Sequence, residues 1–272
     1  MTPGLLRCAL LLGSCWSPLN LALMSLARLH AGLDILTAVK QLRVLLFDVF
    51  GTMVDWRGSL IELAEAAAAR DGLQAADWAL IIDDWRRAYQ PALDRIRQGT
   101  QWRDLDSLQR DTLADVLARR GISLPAAVRE SLVMGWRQLR PWPDSRAGLD
   151  RLRCGYLTAT LSNGHIALLA DLLKFADLRV DAVLSAQCAG SYKPDARVYL
   201  TALELLECRP EDAGMVAAHS QDLQAAVALG LRPIFVRRQL EWGPAWLPRN
   251  HPRSTACSML TGSATSQRPL GC

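Results

Sequence analysis

No two of the seven cysteines (8, 15, 154, 188, 208, 257 and 272) are spaced Cys-x-x-Cys, and the four histidines (30, 165, 219 and 251) show no metal-ligand spacing. No metal site and no cofactor is therefore expected. Scattered thiols such as Cys154 and Cys188, set in apolar stretches, read as small buried hydrophobes of a reducing, cytoplasmic compartment. No segment approaches the ~18 uninterrupted apolar residues that span a bilayer, which excludes a membrane partner. A basic stripe is missing too. The net charge of +4 is dispersed, and Arg86, Arg87, Arg95, Arg97 and Arg103 are interleaved with Asp83, Asp84, Asp94 and Asp104 as on a solvated helix surface. That pattern argues against nucleic acid. No internal repeat is visible.

What is present is a chain of 272 residues, half of them hydrophobic, enough for one α/β domain with an inserted subdomain. Both ends look separate from it. Residues 5–12 (Leu-Leu-Arg-Cys-Ala-Leu-Leu-Leu) are faintly signal-like, but Arg7 leaves too short an apolar run. An overextended start, with translation beginning near Met24, accounts better for a weakly structured extension over 1–42. From about Asn250 the chain is polar and aperiodic, and 244–272 reads as a disordered tail.

Between the ends, Arg43–Asp48 reads as a strand, and residues 59–70 as a helix opened by Ser59 and closed at Asp71-Gly72. Helical patterns follow near 76–97, 106–120 and 125–139 with no strand signal among them. Pro141-Trp142-Pro143-Asp144 marks the return. Alternation then resumes: helix 145–153, strand 156–161, helix 165–175, strand 181–185, helix 195–207, strand 213–217, helix 221–229, strand 232–236. Strands alternating with ten-residue helices imply a doubly wound parallel sheet. The expected organisation is an α/β, Rossmann-like core over 43–57 and 141–243, with an all-helical cap over 58–140 facing the carboxyl edge of the sheet.

Four strand ends carry polar residues toward that edge. The first is Val44-Leu-Leu-Phe-Asp-Val-Phe-Gly-Thr52, an apolar run ending in a lone carboxylate, Asp48, where open α/β sheets place ligands. The others are Leu161-Ser-Asn-Gly164, Tyr192-Lys-Pro-Asp195 with Tyr199 one turn on, and His219-Ser-Gln-Asp222. Each alone has an ordinary reading: Asp48 as a turn cap, Ser-Asn-Gly as a turn, Asp222 as an N-cap. Their joint appearance in this order is hard to attribute to turns.

In order and wording these pieces resemble the haloacid dehalogenase superfamily, and within it the type II (S)-2-haloacid dehalogenases, over about residues 43–243. The most specific matches are Asp48-Val-Phe-Gly-Thr-Met-Val-Asp-Trp-Arg57, Leu161-Ser-Asn-Gly164 and Tyr192-Lys-Pro-Asp-Ala-Arg-Val-Tyr199. The resemblance implies that Asp48 is a nucleophile displacing halide from a 2-haloacid to give an aspartyl ester, which water then hydrolyses to a 2-hydroxyacid. It implies that Lys193 orients Asp48 and keeps it ionised, and that Asp222, assisted by Thr52, positions or activates the water. Ser162, with amides near Val49, Phe50 and Asn163, would hold the substrate carboxylate. Tyr199 would support Lys193, Arg86 after Trp85 would receive the halide, and Phe50 would help to dry the pocket. Relatives are often homodimers, and one is expected here.

Phosphatases of the superfamily carry a second Asp two residues after the nucleophile to protonate an alkoxide. That position is Phe50, and a halide needs no proton to leave. Two other readings stay open: a phosphatase-like hydrolase of the same superfamily, and a catalytically impaired binding protein. Arg86 keeps the competing reading of one more solvated charge. The sequence departs from the pattern at His219, where some members have Asn, and at Gln221, where others have an aromatic residue. His219 is read as lining the site. No further strand and helix are visible after 232–243.

Overall fold

The computed structural model describes residues 42–73 and 76–243. The expected extension and tail lie outside them, apart from Leu42. Strand β1 (Val44–Phe47) is buried at all four residues, as an unbroken Val-Leu-Leu-Phe run requires of a strand covered on both faces. There follow β2 (Val54–Asp55), α1 (Trp56–Arg70), α2 (Trp78–Arg97), α3 (Leu105–Arg119), α4 (Ala126–Gly135), β3 (Arg140–Pro141), α5 (Ser145–Arg153), β4 (Leu157–Ser162), α6 (Ile166–Ala176), β5 (Ala182–Ser185), α7 (Ala196–Leu205), β6 (Ala213–Ala217), α8 (Ser220–Ala228) and β7 (Arg232–Phe235).

Five strands form one parallel sheet in the order β5-β4-β1-β6-β7. Leu46 at its centre faces Ala159 on one side and Met215 on the other. The chain builds outward from β1 through β4 and β5, then returns to add β6 and β7. The strand order therefore reverses beside β1, and the crevice beyond its carboxyl end is where open sheets bind ligands. Helix α6 shows how the layers close: Leu168, Leu169, Leu172 and Leu173, one turn apart in pairs, are all buried.

Helices α1 to α4 form the block that sequence places after the first strand. Helix α1 begins at Trp56 rather than Ser59, because the Asp55 side chain accepts from Gly58 N (2.9 Å) and caps it three residues earlier. Ser59 instead ties the entry of the block to its exit. Its hydroxyl donates to Asp55 O (2.6 Å) and accepts from Arg140 N (2.9 Å). There β2 pairs antiparallel with β3, two residues each, a hinge too short to show any periodicity. Within the block, Trp85 is fully buried, and its indole donates to Gln109 O and the Thr112 hydroxyl. It meets Trp136 edge-on with ring centroids 5.7 Å apart, binding α2 to α3 and to the end of α4.

After β7 no further strand follows among the described residues. Residues 236–243 turn back over the loop after β1. Arg238 donates to Thr52 O (2.9 Å) and to Asp144 (2.7 Å), and Trp242 meets Trp56 edge-on with ring centroids 5.1 Å apart.

Candidate active site

Asp48 is the first residue past β1, and its amide donates to Val216 O (3.0 Å), so the ladder with β6 fixes its position. The chain then folds back on itself through Gly51 N to Val54 O (3.1 Å) and Met53 N to Val49 O (2.8 Å). Gly51 sits at φ +83°, and a Cβ there would lie 2.2 Å from Glu241 Oε1, so both the turn and the close approach require glycine.

Thr52 donates to Asp48 Oδ2 (2.7 Å) and accepts from Ala218 N (2.9 Å), joining the first strand end to the fourth. Lys193, in the loop before α7, reaches between two carboxylates: Nζ lies 3.0 Å from Asp48 Oδ1 and 2.5 Å from Asp222 Oδ2. The other Asp222 oxygen accepts from the Tyr199 hydroxyl. His219 Nδ1 lies 3.0 Å from Asp48 Oδ2, and its Nε2 lies 2.9 Å from Glu241 Oε1. The structure thus brings Asp48, Thr52, Lys193, Tyr199, His219 and Asp222 into one hydrogen-bonded cluster.

Ser162 is fully buried at the end of β4. Its hydroxyl oxygen accepts from Gly164 N (3.2 Å), while its hydrogen has no acceptor among the described residues. The amides of Val49, Phe50 and Asn163 likewise have no acceptor there. The Asn163 side chain is turned to the lysine loop and accepts from Lys193 N (2.8 Å). From the cap, Arg97 donates to Lys193 O (2.9 Å).

Arg86 is not a solvated surface charge. Its guanidinium lies 4.6 Å from the Tyr89 ring centroid, 5.3 Å from that of Trp56 and 5.8 Å from that of Trp136, where cation–π attraction holds it. The carboxylates beside it in sequence are taken by other partners, Asp83 by Arg57 and Asp84 by Arg87 and Arg120. Among the described residues, a buried Arg86 nitrogen, Nη1, has no hydrogen-bond partner. Phe50 meets Trp136 edge-on at 5.4 Å, so the aromatic cage adjoins the loop that follows Asp48.

The charges are set by contact. Burial alone would raise the Asp48 carboxyl, but the Lys193 ammonium, the His219 imidazole and the Thr52 hydroxyl hold it far below the usual carboxylate range. Burial pulls Lys193 down, and Asp222 and Asp48 outweigh that, leaving it raised. Burial likewise opposes the His219 proton, but the bonds to Asp48 and Glu241 push that imidazole up to about 10. Asp222 is raised, by burial first, and Tyr199 is raised by burial and the facing carboxylate. At neutral pH the cluster therefore holds an ionised Asp48 against two cations.

Among the described residues, one group has metal-like geometry, Asp104, Asp106 and His165. Arg137 already occupies it, 2.5 Å from Asp106 Oδ2 and 3.2 Å from His165 Nε2, and supplies the positive charge an ion would bring.

Sequence reading missed Glu241, Tyr89, Trp56 and Trp136. Tyr89 follows Arg86 by three residues, so helical spacing puts both on one face, and that signal was available. Trp56 stands within the matched stretch that ends at Arg57 without a role of its own, and nothing in the sequence sets Trp136 apart. Glu241 follows the last strand in a stretch without pattern.

The chain also resembles proteins already described. A profile of haloacid dehalogenase-like hydrolases matches residues 42–230. An (S)-2-haloacid dehalogenase of Burkholderia cepacia is 27% identical over 206 residues, 74% of this chain and 85% of that protein. Among solved structures, an L-2-haloacid dehalogenase is 43% identical with a TM-score of 0.73, covering 76% of this chain and 89% of that one. A defluorinating L-2-haloacid dehalogenase is 37% identical with a TM-score of 0.73, covering 76% and 85%. A profile match across most of the length, and 43% identity over three quarters of it, agree with the fold and with the carboxylate at the reversal of the sheet: the chain belongs to the haloacid dehalogenase-like hydrolases.

Proposed function

We propose that this chain is a metal-independent (S)-2-haloacid dehalogenase. The observation that carries the reading is Asp48, ionised and buried against the Lys193 ammonium at 3.0 Å, with Phe50 where an acid would be needed to protonate an alkoxide. A leaving group that departs as a stable anion suits that arrangement. Asp48 attacks the halogen-bearing carbon from the side opposite the halide and inverts it. Water then attacks the acyl carbon of Asp48, so an (S)-2-haloacid yields an (R)-2-hydroxyacid.

The free Ser162 hydroxyl and the unpaired amides of Val49, Phe50 and Asn163 hold the substrate carboxylate. Fixed dipoles of this kind act on a singly charged substrate without a metal. Arg86 receives the halide through its unpartnered nitrogen, in a cage whose rings exclude water and so strengthen the charge inside. Lys193 and Tyr199 hold Asp48 and Asp222 in register, and Thr52 fixes Asp48 Oδ2. Cys154 and Cys188 are exposed, not the buried hydrophobes expected of them, and Cys208 is buried; thiols at the surface suit a reducing, cytoplasmic compartment, and none of the described helices is long and apolar enough to cross a membrane. We place it there as a homodimer, which sedimentation would show.

Chloride release from (S)-2-chloropropionate, unchanged by EDTA, is the expected result. Turnover of an aryl phosphate with Mg²⁺, and none of the chloroacid, would overturn the reading in favour of a phosphatase. Replacing Arg86 by Ala should lower kcat/KM for chloride release by about 10²-fold, the usual order for one charge-stabilising donor. Arg87→Ala, whose side chain is exposed and bonded to Asp84, should leave it unchanged. Equal rates in the two variants would remove the halide role from Arg86.

A further inference from the structure

Asp222 is the residue expected to act on the hydrolytic water, yet both of its oxygens are engaged, one by the Tyr199 hydroxyl and the other by the Lys193 ammonium. Each oxygen keeps a second lone pair, but the Lys193 ammonium 2.5 Å away disfavours a proton there. His219 is placed differently. One ring nitrogen lies 3.0 Å from the nucleophile and the other 2.9 Å from Glu241. The ring is 33% exposed, so solvent reaches it.

Glu241 is buried and fixed by a second bond, from the Trp56 indole (3.1 Å). It fills the space that Gly51 leaves by lacking a Cβ. It also lies beyond residue 230, where the family match ends, so it belongs to the folded-back segment and not to the matched core.

We propose that His219, oriented by Glu241, is the general base that hydrolyses the Asp48 ester, and that Asp222 is confined to holding Lys193. This rests on the dehalogenase reading and deepens it. With Glu241 accepting from Nε2–H, the neutral ring keeps its proton on Nε2 and points the Nδ1 lone pair at the nucleophile, the tautomer a base needs.

The proton count closes. The resting imidazolium bridges two carboxylates. When Asp48 is alkylated the halide leaves with the bonding pair, and one of the two negative charges that hold the proton disappears. The ring then gives its proton to solvent, which is the acid equivalent of the overall reaction. The neutral ring takes a proton from water as the water oxygen bonds to Asp48 Cγ. On collapse the bond from Cγ to the ester oxygen breaks, and the departing alkoxide takes the proton from Nδ1. The carboxylic proton left on Asp48 returns to the ring. One water is consumed, and one hydroxyacid, one halide and one proton are formed.

The charged groups facing the ring are Asp48 from the end of β1 and Glu241 from the segment after β7. Lys193 meets the other Asp48 oxygen, and Arg238, in the same segment, is turned to Thr52 O and Asp144.

Rapid mixing of the full-length enzyme with (S)-2-chloropropionate, reading chloride and intact protein mass together, separates the two steps. His219→Asn keeps a donor toward Asp48 but cannot take a proton. It should release about one equivalent of chloride in a burst within a few-fold of the wild-type rate, gain one 1-carboxyethyl group, and hydrolyse it about 10²- to 10³-fold more slowly. Glu241→Gln should show the same split, smaller, with the pH midpoint of ester hydrolysis moved lower because the ring has lost its remaining negative partner. Asp222→Asn should slow the burst itself.

Three results would overturn the proposal: His219→Asn turning over without ester accumulation, both steps slowing together in that variant, or the ester accumulating in Asp222→Asn instead. Absence of chloride release by the wild type would sink the dehalogenase reading and this inference with it.

Discussion

Asp48→Asn should release no measurable halide, a loss of at least about 10⁴-fold, because a covalent nucleophile has no substitute in its own site. The variant should still fold. Lys193 keeps Asp222 at 2.5 Å, and His219 keeps Glu241 at 2.9 Å, so neither cation is left buried without a partner, the condition that makes single charge removals severe. Losing the Asp48 charge should also lower the proton affinity of His219, since that bond is one of the two that raise it to about 10. An NMR titration of the imidazole would read this shift independently of activity. In the wild type, a single turnover in ¹⁸O-water should place the label in the Asp48 carboxylate and not in the hydroxyacid, because water attacks the acyl carbon. Label appearing directly in the product, or a variant retaining halide release within tenfold of the wild type, would transfer the nucleophile from Asp48 to water.

Much of this arrangement was legible because it is written locally. The run Val44–Phe47 can only be a doubly covered strand. Once β1 is fixed, Asp48 must stand at its tip, and the polar residues after β4 and β6 fall on the same edge by the parallel alternation alone. Lys193 and Asp222 were placed by motif, and their convergence needed only the sheet order. What escaped was written at long range. Glu241 reaches His219 and Trp56 because the chain reverses after β7, and no period or turn signal announces that reversal. The hinge of β2 with β3 is two residues per strand, below the length at which alternation exists. The start of α1 was misjudged for a nearer reason: Asp55 and Ser59 are both good capping residues, and the choice between them depends on Arg140, which donates its amide to Ser59 from the far side of the cap.

Lys193→Met should be the most damaging replacement for folding and activity together. It removes the cation between two carboxylates whose side chains are each less than one-tenth exposed. Breaking a buried pair on one side costs about 3–5 kcal/mol. Asp48 retains the Thr52 and His219 bonds, and Asp222 retains Tyr199, which limits the loss to that range. The sign with pH follows from the carboxyl held low. A depressed folded-state value contributes stability above the unfolded carboxylate range and loses it as pH falls through the folded value. Lys193 is the leading stabilising cause of that depression, so the variant forfeits the contribution at neutral pH and has less to lose in acid. Asp222, already raised by burial, rises further without the ammonium, so the variant recovers stability as pH falls and that carboxylate takes up a proton. The gap in Tm between wild type and variant should therefore be widest near pH 8 and narrow toward pH 4. Halide release should fall by about 10³-fold at neutral pH, from loss of ionisation and orientation of Asp48. Lys193→Arg should not restore it, because a planar guanidinium cannot replace a point charge seated between oxygens at 3.0 and 2.5 Å. Thermal melts across pH, run beside chloride assays, decide the matter. A gap in Tm that does not change with pH would mean that Lys193 stabilises the fold by packing and leaves the charge of Asp48 to His219 alone.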